Sequence, residues 1–262
     1  MIFYFSGTGN SYRAALRLAA ETGDSHIVSI ARAVQDGGYS YHLGSDEPVG
    51  FIFPVYYYNI PSLVQQFVHL LGLTYTEDPY VYAVLVCGER TGNAADQLKR
   101  ELEAIDLRLE ASFGVVMPNN SIPWYAADTG AHAEEMMRNA FLQLADIGSA
   151  IRARSRNNDT HLRGSFAGLH TRLATRNYER ARTTDHFSLG QGCTACGICT
   201  KVCPEHIIRL GDDGRPQWTE KECCLCLACM NACPKQNILY DGSAGKGGQY
   251  FDSEFRSFLL GA

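Results

Sequence analysis

The apolar positions of the first 155 residues alternate between two periods. Short apolar runs stand at residues 2–5, 26–30, 49–53, 80–87 and 112–117. Runs of that length, bounded by turn residues, read as buried strands. Between them the apolar residues recur every three or four positions, as one face of a helix requires. The first such face carries Ala14, Ala15, Leu18 and Ala19, and the second Leu63, Val64, Phe67, Val68 and Leu71. Pro61 precedes the second, where a missing amide costs nothing. Asn93 can cap a third face of Ala94, Leu98, Leu102 and Ile105. A longer one runs from Ala133 through Ala140, Leu144 and Ile147 to Ile151. Five strands alternating with helices predict an α/β domain over residues 1–155, built on a doubly wound, parallel, five-stranded sheet. Ligands of such sheets bind at the carboxyl ends of the strands where the strand order reverses. For order 2-1-3-4-5, that crevice lies beside the first and third strands.

The pattern then breaks. Residues 156–185 read as a linker, opened by Asn157, Asn158 and Asp159, which end the long helix. The linker carries Arg163, Arg172, Arg176, Arg180 and Arg182, with Leu169, Leu173 and Tyr178 between them. It is expected to form a short helix docked on the next segment, or a basic face for an acidic partner. Asp159, Glu179 and Asp185 dilute the charge, which favours a plain solvated face. Residues 242–262 form a tail. Its glycine-rich start is flexible, and Phe251, Phe255, Phe258 and Leu259 then follow helical spacing. A short amphipathic helix is predicted there, folded back on the body or marking a partner site.

Composition narrows the class. The chain has 262 residues, 45% hydrophobic and 19% charged, as a globular core requires. A net charge of −5 gives no basic face for nucleic acid. No run of about 18 apolar residues would span a membrane. The first residues lack a basic region and turn polar at Ser6, unlike a signal peptide, so a cytoplasmic location is expected.

The cysteines change the picture. Nine of the ten fall between Cys193 and Cys233, while Cys87 stands apart as a small buried strand residue. A second, smaller domain is therefore expected over residues 186–241. It contains a repeat: Cys193, Cys196, Cys199 and Cys203 precede Pro204, and thirty residues on Cys223, Cys226, Cys229 and Cys233 precede Pro234. This Cys-x2-Cys-x2-Cys-x3-Cys-Pro run is the bacterial ferredoxin pattern, whose fourth cysteine serves the other cluster. Three thiolates on a tight loop wrap one [4Fe–4S] cubane, and the proline turns the fourth away. One cluster is assigned to Cys193, Cys196, Cys199 and Cys233, and the other to Cys223, Cys226, Cys229 and Cys203. Zinc is the alternative, but paired zinc knuckles need no third cysteine at the next step. Cys224 is expected to face away as a spectator. Gly197 suits close approach to a cluster, whereas the second repeat has Leu227 there. So short a segment, poor in large apolar groups, should couple its folding to metal binding.

Two loops flank the predicted crevice. Ser6, Gly7, Thr8, Gly9, Asn10 and Ser11 form an anion cradle: two glycines let amides converge, and a helix N-terminus follows. A Walker loop would need Gly-Lys-Ser/Thr, and a dinucleotide fingerprint would need glycine where Tyr12 stands. What fits is one terminal phosphate held by neutral donors. The loop from Phe5 to Ser11 resembles the FMN-phosphate loop of flavodoxins. With the cysteine repeat, the whole chain resembles the flavodoxin–ferredoxin fusion proteins of anaerobic bacteria. That resemblance implies a flavodoxin-like sheet followed by a small bacterial ferredoxin-like α+β domain, with one-electron carriage through two [4Fe–4S] clusters, FMN and redox partner proteins. It implies that Ser6 to Ser11 hold the phosphate. It implies that Pro54, Val55, Tyr56, Tyr57, Tyr58 and Asn59 flank the isoalloxazine, with Tyr56 or Tyr57 stacked on it. Cys87, Gly88, Glu89, Arg90, Thr91, Gly92 and Asn93 match the third loop. Flavodoxins usually place a stacking tyrosine in that loop; Arg90 would instead favour an anionic flavin. Pro118, Asn119 and Asn120 offer no chemistry from sequence, and Trp124 and Tyr125 can cover the site. The bland readings are a simple strand-to-helix turn, core tyrosines and a solvated Arg90. His161, His170 and His186 lack evident partners, and no acid–base pair stands out. The expected role is electron carriage. The alternatives are a flavin-dependent oxidoreductase acting on a small substrate and a ferredoxin with an empty flavodoxin-like scaffold.

Overall fold

The computed structural model describes residues 1–160 and 162–261. The front part runs β1 (Ile2–Tyr4), α1 (Asn10–Thr22), β2 (Ile27–Ser29), α2 (Ile30–Asp36), β3 (Ser40–His42), β4 (Val49–Pro54), α3 (Ser62–Leu70), β5 (Gly72–Thr74), β6 (Val81–Cys87), α4 (Ala94–Glu103), β7 (Leu109–Val116), α5 (Gly130–Arg152) and β8 (Asn158–Thr160). The main sheet has the order β2-β1-β4-β6-β7-β8, and every pair in it is parallel. Numbered within this sheet the order is 2-1-3-4-5-6, so the crevice falls beside β1 and β4, as the sequence predicts. The sheet has six strands, not five. The sixth, β8, lies in the residues read as a linker. It is a polar edge strand that buries no apolar face, so no hydrophobic period announces it. Ser112 Oγ donates to Asp159 Oδ1 at 2.7 Å across the β7–β8 pair. A separate two-stranded parallel ribbon, β3 with β5, was also invisible to periodicity.

Both faces of the sheet are covered, which is why β6 is buried at all seven positions. Phe3, Phe51, Phe53 and Leu85 pack with α3 and α4 on one face. Ile2, Ile52, Val84 and Phe113 pack with α1 and α5 on the other. Gly50 is required in β4 because the ring of Tyr82 fills the space a side chain would take.

The rest of the chain runs α6 (Ala167–Ala181), β9 (Phe187–Leu189), α7 (Ile198–Val202), β10 (Ile208–Leu210), β11 (Pro216–Trp218), α8 (Ala228–Ala232), β12 (Ile238–Tyr240) and α9 (Ser253–Leu260). β9 pairs antiparallel with β12, and β10 with β11. The two cysteine runs lead into α7 and α8. Gly197 at φ 72° and Leu227 at φ 58° start these helices, so Leu227 adopts the left-handed backbone that Gly197 adopts freely.

This half is packed on the front half. Asn231, in α8, donates to Asn120 O at 3.0 Å and accepts from Tyr250 N at 3.1 Å. Tyr178 donates to Cys224 O at 3.1 Å. The tail folds back: Asp252 caps α9 by accepting from Phe255 N at 2.8 Å, and Phe255 is buried against the ring of Tyr12 at 5.0 Å. His186 is hydrogen-bonded to Asp241 at 2.7 Å, while His161, in the linker, lies outside the described residues.

Candidate functional site

The crevice starts where β1 ends. Gly9 takes φ 111°, and its amide donates to Ser6 Oγ at 3.0 Å. Among the described residues no backbone acceptor meets the amides of Gly7, Thr8, Asn10 or Ser11. Asn10 Nδ2 donates to Pro118 O at 2.8 Å, and Asn120 donates to Thr8 Oγ1. Asn10 Oδ1 and Ser11 Oγ are buried without partners. A buried polar atom without a partner costs about 1–3 kcal/mol, a cost that a bound water or ligand would remove. Unpartnered amides, a hydroxyl and a helix N-terminus fit a phosphate.

The loop after β4 turns back on itself: Tyr56 and Asn59 exchange backbone hydrogen bonds of 3.1 and 2.9 Å. Tyr57 and Tyr58 pass through the left-handed region at φ 51° and 61°, where bulky residues rarely stand. The ring of Tyr57 sits edge-on to Trp124 at 5.4 Å. Asn59 faces packing rather than the crevice; its Oδ1 accepts from Thr175 Oγ1 at 2.8 Å and from Gln97. Gly92 lies beneath Tyr58, and the amide of Asn93 donates to Thr171 Oγ1 at 3.1 Å. The Asn93 side chain does not cap α4. Arg90 pairs with Glu89 at 3.1 Å, so a ligand there meets an ion pair rather than a lone cation. Burial pushes the Cys87 thiol up to about 12, which keeps it a neutral wall residue.

A cavity of about 770 Å³ opens between these loops, within the range of small-molecule sites. Val55, Tyr56, Tyr57, Cys87, Gly88 and Arg90 line it. So do Asn119, Asn120, Ser121, Trp124, Tyr125 and Asp128 from the loop after β7. A narrower recess, walled by Ser6, Gly7, Thr8, Asn10, Ser11 and Pro54, continues from it through a shared wall of Val55, Tyr56, Cys87 and Gly88. Sequence reasoning gave Asn119 and Asn120 no role and missed Ser121 and Asp128. The available signal was a Pro-Asn-Asn turn directly after a buried strand.

The cysteines collect in two small cavities. One is lined by Cys193, Cys196, Cys199 and Cys233, the other by Cys203, Cys223, Cys226 and Cys229. These are the groupings the repeat implies, and all ten cysteines are free. Burial, with neighbouring thiols adding to it, pushes Cys199 up to about 11 and Cys203 up to about 12. Cys223 and Cys229 are raised for the same reasons. Four such thiols carry charge together only if a strongly cationic group compensates them. Cys224 was expected to face away. It lines the second cavity instead and hydrogen-bonds with Cys226, because Leu225 between them takes φ 56°. Its amide donates to the half-buried Glu205 at 2.6 Å.

The two sites meet. Cys226 lines both the second cysteine cavity and the 770 Å³ cavity. A Cβ on Gly7 would stand 2.8 Å from Cys226 O and 3.0 Å from both Cys226 Cβ and the hydroxyl of Tyr56. That hydroxyl is buried without a partner. Cradle, tyrosine loop and cysteine loop therefore converge on one point.

Residues 192–238 match the family described as a 4Fe-4S dicluster domain. The chain carries such a domain at its C-terminal end. A curated relative aligns over a short stretch of the chain. That relative is one component of the Na(+)-translocating ferredoxin:NAD(+) oxidoreductase complex of Acetobacterium woodii, 43% identical over 44 residues. The alignment spans 17% of this chain and 13% of the relative. Among solved structures, the Trp repressor binding protein from Bacillus subtilis is similar over 59% of this chain and 97% of its own, at 11% identity and a TM-score of 0.37. An FMN-dependent NADH-azoreductase from Bacillus anthracis is similar over 58% and 98%, at 10% identity and a TM-score of 0.35. At TM-scores below 0.5 neither likeness bears on a ligand.

Proposed function

We propose that this chain is an electron-transfer protein. Two [4Fe–4S] clusters sit on Cys193, Cys196, Cys199 and Cys233 and on Cys203, Cys223, Cys226 and Cys229, and FMN lies in the front crevice. Cubanes exchange single electrons and a flavin exchanges one or two, so the pair can link a one-electron partner to a two-electron one. The observation that carries the reading is Cys226, shared between the second thiol cavity and the large cavity. Ser6, Thr8, Asn10 and Ser11 hold the phosphate with neutral donors, Tyr57 and Trp124 give an apolar wall, and the dicluster domain closes the remaining side with Leu225 and Leu227. Redox proteins, not nucleic acid, are the partners. No helix among the described residues is long and apolar enough to cross a membrane, and a cytoplasmic setting that keeps thiols reduced suits the clusters.

Anaerobic purification with iron, sulfide and flavin quantitation tests this. About eight irons and one FMN per chain are expected from two cubanes. Eight irons without flavin would leave a ferredoxin on an empty scaffold, and zinc in place of iron would refute the reading. The large cavity, with Tyr125 exposed on its wall, favours as a second reading the reduction of a small acceptor at the flavin. Turnover of such an acceptor without any protein partner would carry that alternative.

A further inference from the structure

Helix α6 is fastened on one face and bare on the other. Its buried residues are Ala167, Thr171, Ala174 and Tyr178. Through them it holds the site together: Thr171 accepts from Asn93 N, the adjacent Thr175 donates to Asn59 at 2.8 Å, and Tyr178 donates to Cys224 O. Asn177, beside Tyr178, lines the large cavity. The helix therefore touches both the rim of that cavity and the backbone of Cys224, two residues before Cys226.

The opposite face is unusual. Phe166, Leu169 and Leu173 are 80%, 60% and 52% exposed. At 100° per residue Leu169 and Leu173 share a face about 100° wide with Arg172, Arg176 and Arg180, centred opposite the buried stripe, and Phe166 stands at the helix's N-cap. Those three arginines are exposed, and no carboxylate among the described residues lies within ion-pair distance of them. Their neighbours differ: Arg163 is paired with Asp96, and Arg182 with Glu179 and Glu222. In a chain of net charge −5, this is a local reversal of sign.

We propose that the outer face of α6 is the docking surface for an acidic electron-transfer protein. The inference rests on the electron-carrier reading above. Three unpaired guanidinium groups select a partner by charge and speed its approach. The aromatic and leucine side chains add a small apolar contact, and arginine and aromatic residues are the types enriched at such interfaces. The area decides against a second copy of this chain. Fifteen helical residues extend about 22 Å. One face of that length offers a few hundred Å², well under the roughly 800 Å² per partner of a stable complex, and it suits a brief redox encounter. One helix diameter, about 10 Å, separates the docked partner from the inner face, where the cavity and Cys224 lie.

The test uses the holoprotein, with a small acidic ferredoxin, chemically reduced, as the probe. Stopped-flow absorbance follows reduction of the chain's clusters by this probe and, separately, by dithionite. The variants are R172E/R176E/R180E and L169S/L173S. The charge-reversed variant should be reduced by the ferredoxin about tenfold more slowly or worse at low ionic strength. Its rate should lose the salt dependence of the parent, while dithionite reduction, iron content and thermal unfolding stay unchanged. L169S/L173S should slow the ferredoxin reaction without altering its salt dependence. Equal ferredoxin rates in parent and charge-reversed protein would overturn the proposal. So would a parent dimer that L169S/L173S dissociates, or binding of phosphatidylglycerol vesicles with no reaction toward ferredoxin. Absence of iron would overturn the electron-carrier reading, and this one with it. Iron present with unaltered rates would overturn the docking surface alone.

Discussion

Replacing Gly7 with alanine tests the joint between the cradle and the dicluster domain. The added methyl would stand 2.8 Å from Cys226 O and 3.0 Å from Cys226 Cβ and Tyr56 Oη. Comfortable carbon contacts begin nearer 3.5 Å, so it must displace something by several tenths of an ångström. The nearest obstacle is backbone. Leu225 and Leu227, on either side of Cys226, already stand in the left-handed region at φ 56° and 58°, which leaves that carbonyl little room to retreat. Gly7 itself has no positive φ, so the cost is contact rather than backbone strain. Overpacking of this kind costs about 1–3 kcal/mol, or roughly 2–4 °C in Tm for each kcal/mol at this chain size. The assay is anaerobic thermal unfolding of the holoprotein, followed by circular dichroism and by cluster absorbance, with FMN content measured alongside. Gly38→Ala is the control. Its methyl would meet nothing closer than 4.0 Å, and the change should be neutral or slightly stabilising. If Gly7→Ala unfolds within about 0.5 kcal/mol of the parent and keeps its flavin, the close approach of Cys226 to the cradle is not a feature of the working protein.

Cys226→Ala should halve the iron, from about eight to about four per chain, with one set of cluster signals lost in electron paramagnetic resonance. Phe255→Ala removes a ring that is 4% exposed and packed against Tyr12; about 3–5 kcal/mol should be lost in chemical denaturation, the tail loosening first. His186 is held above its ordinary 6.5 chiefly by the hydrogen bond to Asp241. Its stabilisation is therefore full below 6.5 and lost as pH rises through the raised value. The stability gap between parent and Asp241→Asn should close over that rise, and the imidazole titration in the variant should shift down.

What the sequence made legible follows from what each feature depends on. The two thiol groupings rest on local spacing and a proline, and the cavities gather those same residues. The helix at Ser253–Leu260 was legible because its aromatic residues repeat at helical intervals. Strand β8 was not, since Asn158–Thr160 is polar and pairs only at an edge. The roles of Asn59 and Asn93 were also hidden. Both face α6, and nothing in their own neighbourhood points to partners 78 and 116 residues later. Leu227 looked like a break in the repeat, yet its backbone repeats the turn made by Gly197, because the loop and not the side chain sets that conformation.

The tail's position has a consequence for maturation. Thr8 O accepts from the amide of Asp252, and the side chain of Asp252 stands over Gly9. The loop after β1 is thus roofed by residues more than two hundred positions further along the chain. If the cradle takes the proposed FMN, the phosphate enters most easily while this roof is open, before the tail latches. Protein supplied with iron first should accept added FMN slowly, and trimming the chain before Asp252 should restore fast uptake.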